Sequence, residues 1–65
     1  MKVFDVPHFK LYVHLQDLIL FEDELLKKRI PFEKEENVLG GAIRFYFPDA
    51  YAEKIDIIEK ELGIV

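Results

Sequence analysis

Two stretches of this chain alternate strictly between apolar and polar residues, and they limit its fold more than any other feature. Phe9, Leu11, Val13 and Leu15 point one way, with Lys10, Tyr12 and His14 between them. Ile43, Phe45 and Phe47 likewise share one face, with Ala42, Arg44 and Tyr46 on the other. A period of two marks a strand that buries one face and leaves the other wet. The spacing predicts strands over residues 9–15 and 42–47.

Between them the period changes. Gln16 and Asp17 end the first strand, and Asp17 is a natural helix N-cap. Leu18, Phe21 and Leu25 then fall on one helical stripe, with Ile19 and Leu26 beside it. Glu24 and Lys28 are spaced as an i, i+4 pair, and Lys27, Lys28 and Arg29 suit the negative end of the helix dipole. Pro31 stops the helix by about Ile30. Residues 32–36 read as a short strand with Phe32 facing in and Glu33 and Glu35 facing out, and residues 37–41 as a loop. Pro48 halts the next strand and Asp49 is placed to cap a second helix. Tyr51, Ile55, Ile58 and Leu62 make its buried stripe, and Gly63 sits where a left-handed C-cap belongs. Residues 2–6, interrupted by Pro7, read as an edge strand or a loose arm.

The order strand, helix, strand, strand, helix predicts an α+β fold: a ferredoxin-like βαββα sandwich lacking its final strand, with an optional extra N-terminal edge strand. The last strand lies in the middle of the sheet, and both helices cover one face. The edge of the first strand then stays open unless the arm or another molecule fills it. The 65 residues make a single domain, with residues 1–8 as a possible arm. A core of this size supplies about 3–5 kcal/mol at most. With no cysteine there is no disulfide to add to it, so the core or a partner chain must hold the fold.

Specific residues along this frame carry a resemblance. Arg29-Ile30-Pro31-Phe32, Leu39-Gly40-Gly41, and Phe47-Pro48 leading to Ala52-Glu53-Lys54-Ile55 resemble the small prokaryotic signal-transducing protein family, a domain of unknown function. The likeness covers roughly residues 11–62. It implies a ferredoxin-like half, a signalling or partner-binding role, and no catalytic residues. The family's Gly before Ile-Pro is Arg29 here. Gly takes the left-handed conformation cheaply and Arg does not, so the helix end is expected to differ.

Little in the chain points to chemistry. Cys, Ser and Thr are all absent, which removes the usual thiol and hydroxyl nucleophiles. His8 and His14 are the only histidines, and along a strand they stand about 20 Å apart, too far to share a metal ion. A pH-sensitive contact is the sharper reading of His14. Glu33, Glu35 and Glu36 alternate along a strand with Lys34 among them, unlike a calcium loop. Gly40-Gly41 opens into a strand, not into the helix N-terminus that a phosphate loop needs. Glu22 is the odd residue, a carboxylate within the apolar arc of its helix. No cofactor and no metal are expected. The net charge of −4 argues against DNA, and the longest apolar run, Leu18 to Phe21, is far too short for a membrane span. With no stretch resembling a signal peptide, a cytoplasmic location is expected.

The outer sheet face is the surface left to act. Lys10, Tyr12, His14, Arg44 and Tyr46 populate it, in a composition enriched at protein interfaces. The leading expectation is a non-enzymatic interaction or signal-transducing domain that forms a homodimer through this face or through the edge strand, with room for another protein partner. Single-stranded RNA stacking on Tyr12 and Tyr46 is an alternative, opposed by the acidic balance and the acidic neighbouring strand. A small ligand held between subunits is another. An enzyme using Glu22 or His14 as a base is the least favoured.

Overall fold

In a computed structural model that describes residues 3–35 and 40–63, three antiparallel strands carry two helices. Strand β1 spans His8–His14, β2 Glu33–Glu35 and β3 Ala42–Pro48. Helix α1 spans Leu18–Lys27 and α2 Ala52–Leu62. The sheet order is β1-β3-β2, so β3 is central and β1 and β2 run parallel to each other on its two sides. Asn37, Val38 and Leu39 of the expected loop, and Glu36 of the expected second strand, fall outside the described residues.

The alternation of β3 sorts its side chains as its sequence requires. Ile43, Phe45 and Phe47 are buried, while Arg44 and Tyr46 lie on the opposite face. Phe21 of α1 meets Phe45 edge-on at 5.3 Å and Phe47 at 6.0 Å. Phe32 and Phe9 close the aromatic layer against Phe45 and Phe47. Val13, Leu25, Ile30, Ile55 and Ile58 complete one core. Both helices therefore cover the same face of the sheet.

Several local expectations need correction. Val3–Asp5 forms a 3-10 turn, not an extra edge strand. The turn brings Phe4 back over the sheet, where its ring finds Tyr46, and apolar contact outweighs an isolated strand. Leu15 gives its N–H to Gly41 at the end of the ladder and then opens a second 3-10 turn, Leu15–Asp17, and its side chain is 55% exposed instead of covered by the core. Asp17 occupies the N-cap of α1 and Asp49 opens the 3-10 turn Asp49–Tyr51 before α2, yet neither helix has a side-chain cap bond. In each case the preceding 3-10 turn supplies a backbone carbonyl instead: Leu15 accepts from Leu18 N–H and Asp49 from Ala52 N–H. Lys28 reaches across to Glu61 of α2 at 3.8 Å, while Glu24 pairs with Lys27. Ile19 is 82% exposed, and Leu26 is exposed too.

The end of α1 settles the question raised by Arg29. Arg29 has φ 55°, the left-handed conformation that Gly would take. Its N–H donates to Leu26 carbonyl at 3.2 Å, and Ile30 N–H donates to Leu25 carbonyl at 3.0 Å. That bond pair is a Schellman motif, and Ile30 and Leu25 are both buried as its hydrophobic contact. The helix therefore stops as a Gly would stop it, with Arg bearing the strain. Arg29→Gly relieves a left-handed cost of about 1–2 kcal/mol. It adds unfolded-chain entropy worth about 0.4–1 kcal/mol. The expected net is a gain of roughly 0.5–1 kcal/mol, read as a higher urea midpoint at unchanged slope.

Candidate functional site

The register aligns the outward side chains in rows. Lys10, Tyr46 and Glu33 share one row, Tyr12, Arg44 and Glu35 the next, and His14 faces Ala42 beyond. All five residues expected on this surface are thus on it. The structure joins three of them closely. Arg44 Nη1 donates to Glu35 Oε2 at 2.8 Å and to Tyr46 Oη at 3.1 Å, and Tyr46 Oη donates to the same Glu35 oxygen at 3.0 Å. Arg44 Cζ also lies 5.3 Å from the Tyr12 ring centre, within cation–π range. The bond with Tyr46 lifts the guanidinium above its usual range, against a smaller opposing effect of burial, and Tyr12 adds to the rise. Arg44 is a fixed charge in a closed triangle.

The near end of the face is covered from within the chain. Phe4 packs on Tyr46 at 4.9 Å and on His8 at 5.0 Å. His8 Nδ1–H donates to Val6 carbonyl at 2.9 Å, which fixes the entry into β1. Lys10 and His14 make none of these contacts and stand exposed, and Tyr12 is 48% exposed. The surface thus divides in two: a tied part around Arg44, Tyr46, Tyr12 and His8, and an exposed margin at Lys10 and His14.

Glu22 has a plain structural partner. Lys34 lies beside Phe45 in the register, so it projects toward the helices, and its Nζ meets Glu22 Oε1 at 2.7 Å. The acid in the apolar arc is the α1 end of a bridge to the edge of the sheet.

The backbone of β1 completes the site. Leu15 N–H donates to Gly41 carbonyl, and Asp49 N–H donates to Pro7 carbonyl, each at 3.0 Å. These bonds lie just beyond the two ends of the β1–β3 ladder. Backbone bonding alternates along an antiparallel pair, so the odd residues of β1 face β3. The N–H and C=O groups of His8, Lys10, Tyr12 and His14 therefore point away from the sheet. Among the described residues no strand lies on that side.

The sequence reading missed Phe4, Glu35 as the anchor of Arg44, and the exposure of Leu15. The Glu35–Arg44 contact was within reach, since the two occupy outward positions on adjacent strands. The fold of Phe4 had no periodic signal. No described helix is long and apolar enough to cross a membrane. Comparison with protein-family models, curated proteins and solved structures returned no match.

Proposed function

We propose that this chain is a small, non-enzymatic interaction domain of ferredoxin-like build that pairs with a second copy of itself along the free edge of β1. The observation that carries this reading is the contrast between the two edges of the sheet. Among the described residues the β2 edge is three residues long, and all three are charged. Short, charged edges are how sheets discourage pairing. The β1 edge is seven residues long, contains no Pro, and has Lys10 as its single formal charge. An edge of that length is a template for strand addition. A two-fold pairing of β1 with its copy would give a six-stranded antiparallel sheet and satisfy four residues' backbone groups in each protomer.

The broad outer face supports the reading less well than the edge does. Its Arg44 and Tyr46 are engaged with Glu35, and Phe4 lies over Tyr46. The same engagement takes up Tyr46 and leaves Tyr12 as the more open of the two rings on which RNA bases would stack, which favours the edge over the RNA alternative. A partner-binding role also accords with the resemblance to the signal-transducing family.

Lys10→Pro tests the proposal. Lys10 directs its N–H outward, so Pro removes a donor from the edge and none from the β1–β3 ladder. The variant is expected to fold with the same circular dichroism and to remain a monomer. The unchanged chain is expected to pass from monomer to dimer in light scattering between micromolar and millimolar protein. A Lys10→Pro dimer as tight as the original would place the contact elsewhere.

A further inference from the structure

The two ends of β1 are unlike, and they are complementary. At the C-terminal end Leu15 is a large apolar side chain left 55% exposed. Its N–H still holds the ladder to Gly41. By alternation it therefore shares the helix-side face with Phe9, Leu11 and Val13. At the N-terminal end lies an open, largely apolar groove of about 470 Å³, lined by Val6, Pro7, Pro48, Asp49, Ala50 and Tyr51. Tyr51, one wall of the groove, leads into α2 and packs on the core, so the groove reaches the helix side of the sheet at that wall. Each copy thus has a knob at one end of its free edge and a hollow at the other.

Resting on the edge pairing proposed above, we infer that the dimer has one register, centred on Leu11, in which Leu15 of each copy seats in the groove beside Pro7 of the other. The backbone restricts the choice first. Only registers that match outward-facing residues with outward-facing residues make bonds, so the two-fold axis falls on a position such as Lys10, Leu11 or Tyr12. Centring on Lys10 sets two lysines directly opposite each other, which is unfavourable. Centring on Tyr12 leaves the first two residues of each strand unpaired and sets Leu15 against Phe9, away from the groove. Centring on Leu11 overlaps the whole of β1. It places Lys10 opposite Tyr12 of the second copy on both sides of the axis, a cation beside an aromatic ring.

In that register Leu15 comes opposite Pro7 of the second copy, at a position outside the hydrogen-bonded pairs. Leu15 opens its 3-10 turn one residue past β1 and Pro7 lies one residue before it, so the pair sits at the end of the shared ladder, on the side where strand partners bring their side chains closest. Pro7 is itself a wall of the groove, and its carbonyl is held by Asp49 N–H from the floor at 3.0 Å. The register thereby brings the leucine side chain to the mouth of the hollow. The symmetry repeats the contact, so two leucines are buried per dimer, and half-buried Leu11 meets its own copy at the axis. The strand bonds give the association its direction, and the two leucines give it one register.

Leu15→Asp is the first test. The residue is exposed in the single chain, so the unfolding midpoint of the dilute monomer is expected to stay the same. Loss of two buried leucines is expected to weaken dimerisation on the order of 100-fold, measured by sedimentation or light scattering. Leu11→Cys is the second test, and it does not depend on the first. The chain has no cysteine of its own. A Leu11-centred pair sets the two new thiols within disulfide reach, so oxidation is expected to give a covalent dimer. His8→Cys is expected to stay uncrosslinked, because its counterpart across the axis is His14. A wild-type dimer that is unaffected by Leu15→Asp, or in which Leu11→Cys fails to cross-link, overturns the register and the leucine seat while leaving edge pairing in place. A wild-type chain that stays monomeric at millimolar concentration overturns both.

Discussion

Phe45→Ala is expected to leave the chain largely unfolded at 25 °C. Phe45 lies at the centre of β3, fully buried. Its ring touches Phe21 at 5.3 Å, Phe32 at 5.5 Å and Phe47 at 5.9 Å. Rings from α1, from the residue just before β2 and from its own strand converge on it, so no single neighbour can move in to fill the space it leaves. A buried Phe→Ala change costs about 3–5 kcal/mol when the cavity stays open. A single core in a chain this short supplies about the same amount. The loss and the reserve match, and the folded population falls to a minority. Far-ultraviolet circular dichroism in a urea titration should show no folded baseline, where the unchanged protein shows a cooperative step. A cooperative step near the original midpoint would mean that the core is not organised around this ring. Raising the protein concentration adds a second reading. If folding is linked to pairing along β1, the midpoint of the unchanged chain rises with concentration, and that of Lys10→Pro does not.

How much of this was legible in the sequence depended on the kind of information each feature required. The alternation of β3 was sufficient to put Ile43, Phe45 and Phe47 inside and Arg44 and Tyr46 outside, because a strand's two faces follow from its own backbone. Tyr51, Ile55, Ile58 and Leu62 identified the inner face of α2 in the same way. The errors came where burial depends on what lies next to an element. Ile19 and Leu26 are on the flank of α1 that carries Glu22, and Glu22 reaches β2 through Lys34. Among the described residues the sheet ends on that side in a strand of three residues. On that flank Ile19 and Leu26 stay exposed. A helical wheel gives the angle of Ile19 but not the width of the sheet beneath it. Leu15 fails for the same reason at the end of β1, where the chain turns before a helix can cover it. Phe4 was unreadable for another reason: a 3-10 turn has too few residues to show a period. The candidate surface was therefore legible as a set of residues, while its division into a tied part and an exposed margin was not.

The second large effect is expected at Ile30, and it also tests the unusual helix end. Ile30 is 4% exposed and follows the left-handed Arg29. Its N–H closes the wider bond of the Schellman motif to Leu25 carbonyl, and its side chain joins the core beside Leu25. Ile30→Ala keeps the backbone bond and removes the side chain. The expected loss is about 2–4 kcal/mol, seen as a large fall in the urea midpoint with a folded baseline still present. Arg29→Gly acts on the backbone of the neighbouring residue, by a separate mechanism. The gain of about 0.5–1 kcal/mol that it brings in the unchanged chain should therefore recur in the Ile30→Ala background. The double variant is expected to lie above Ile30→Ala by that amount. Neighbouring substitutions often fail to add, so agreement would be informative: it would separate strain stored in the turn from packing stored in the core. If Arg29→Gly lowers stability in either background, the Arg side chain itself holds the helix end, and strain at φ 55° is not what limits it.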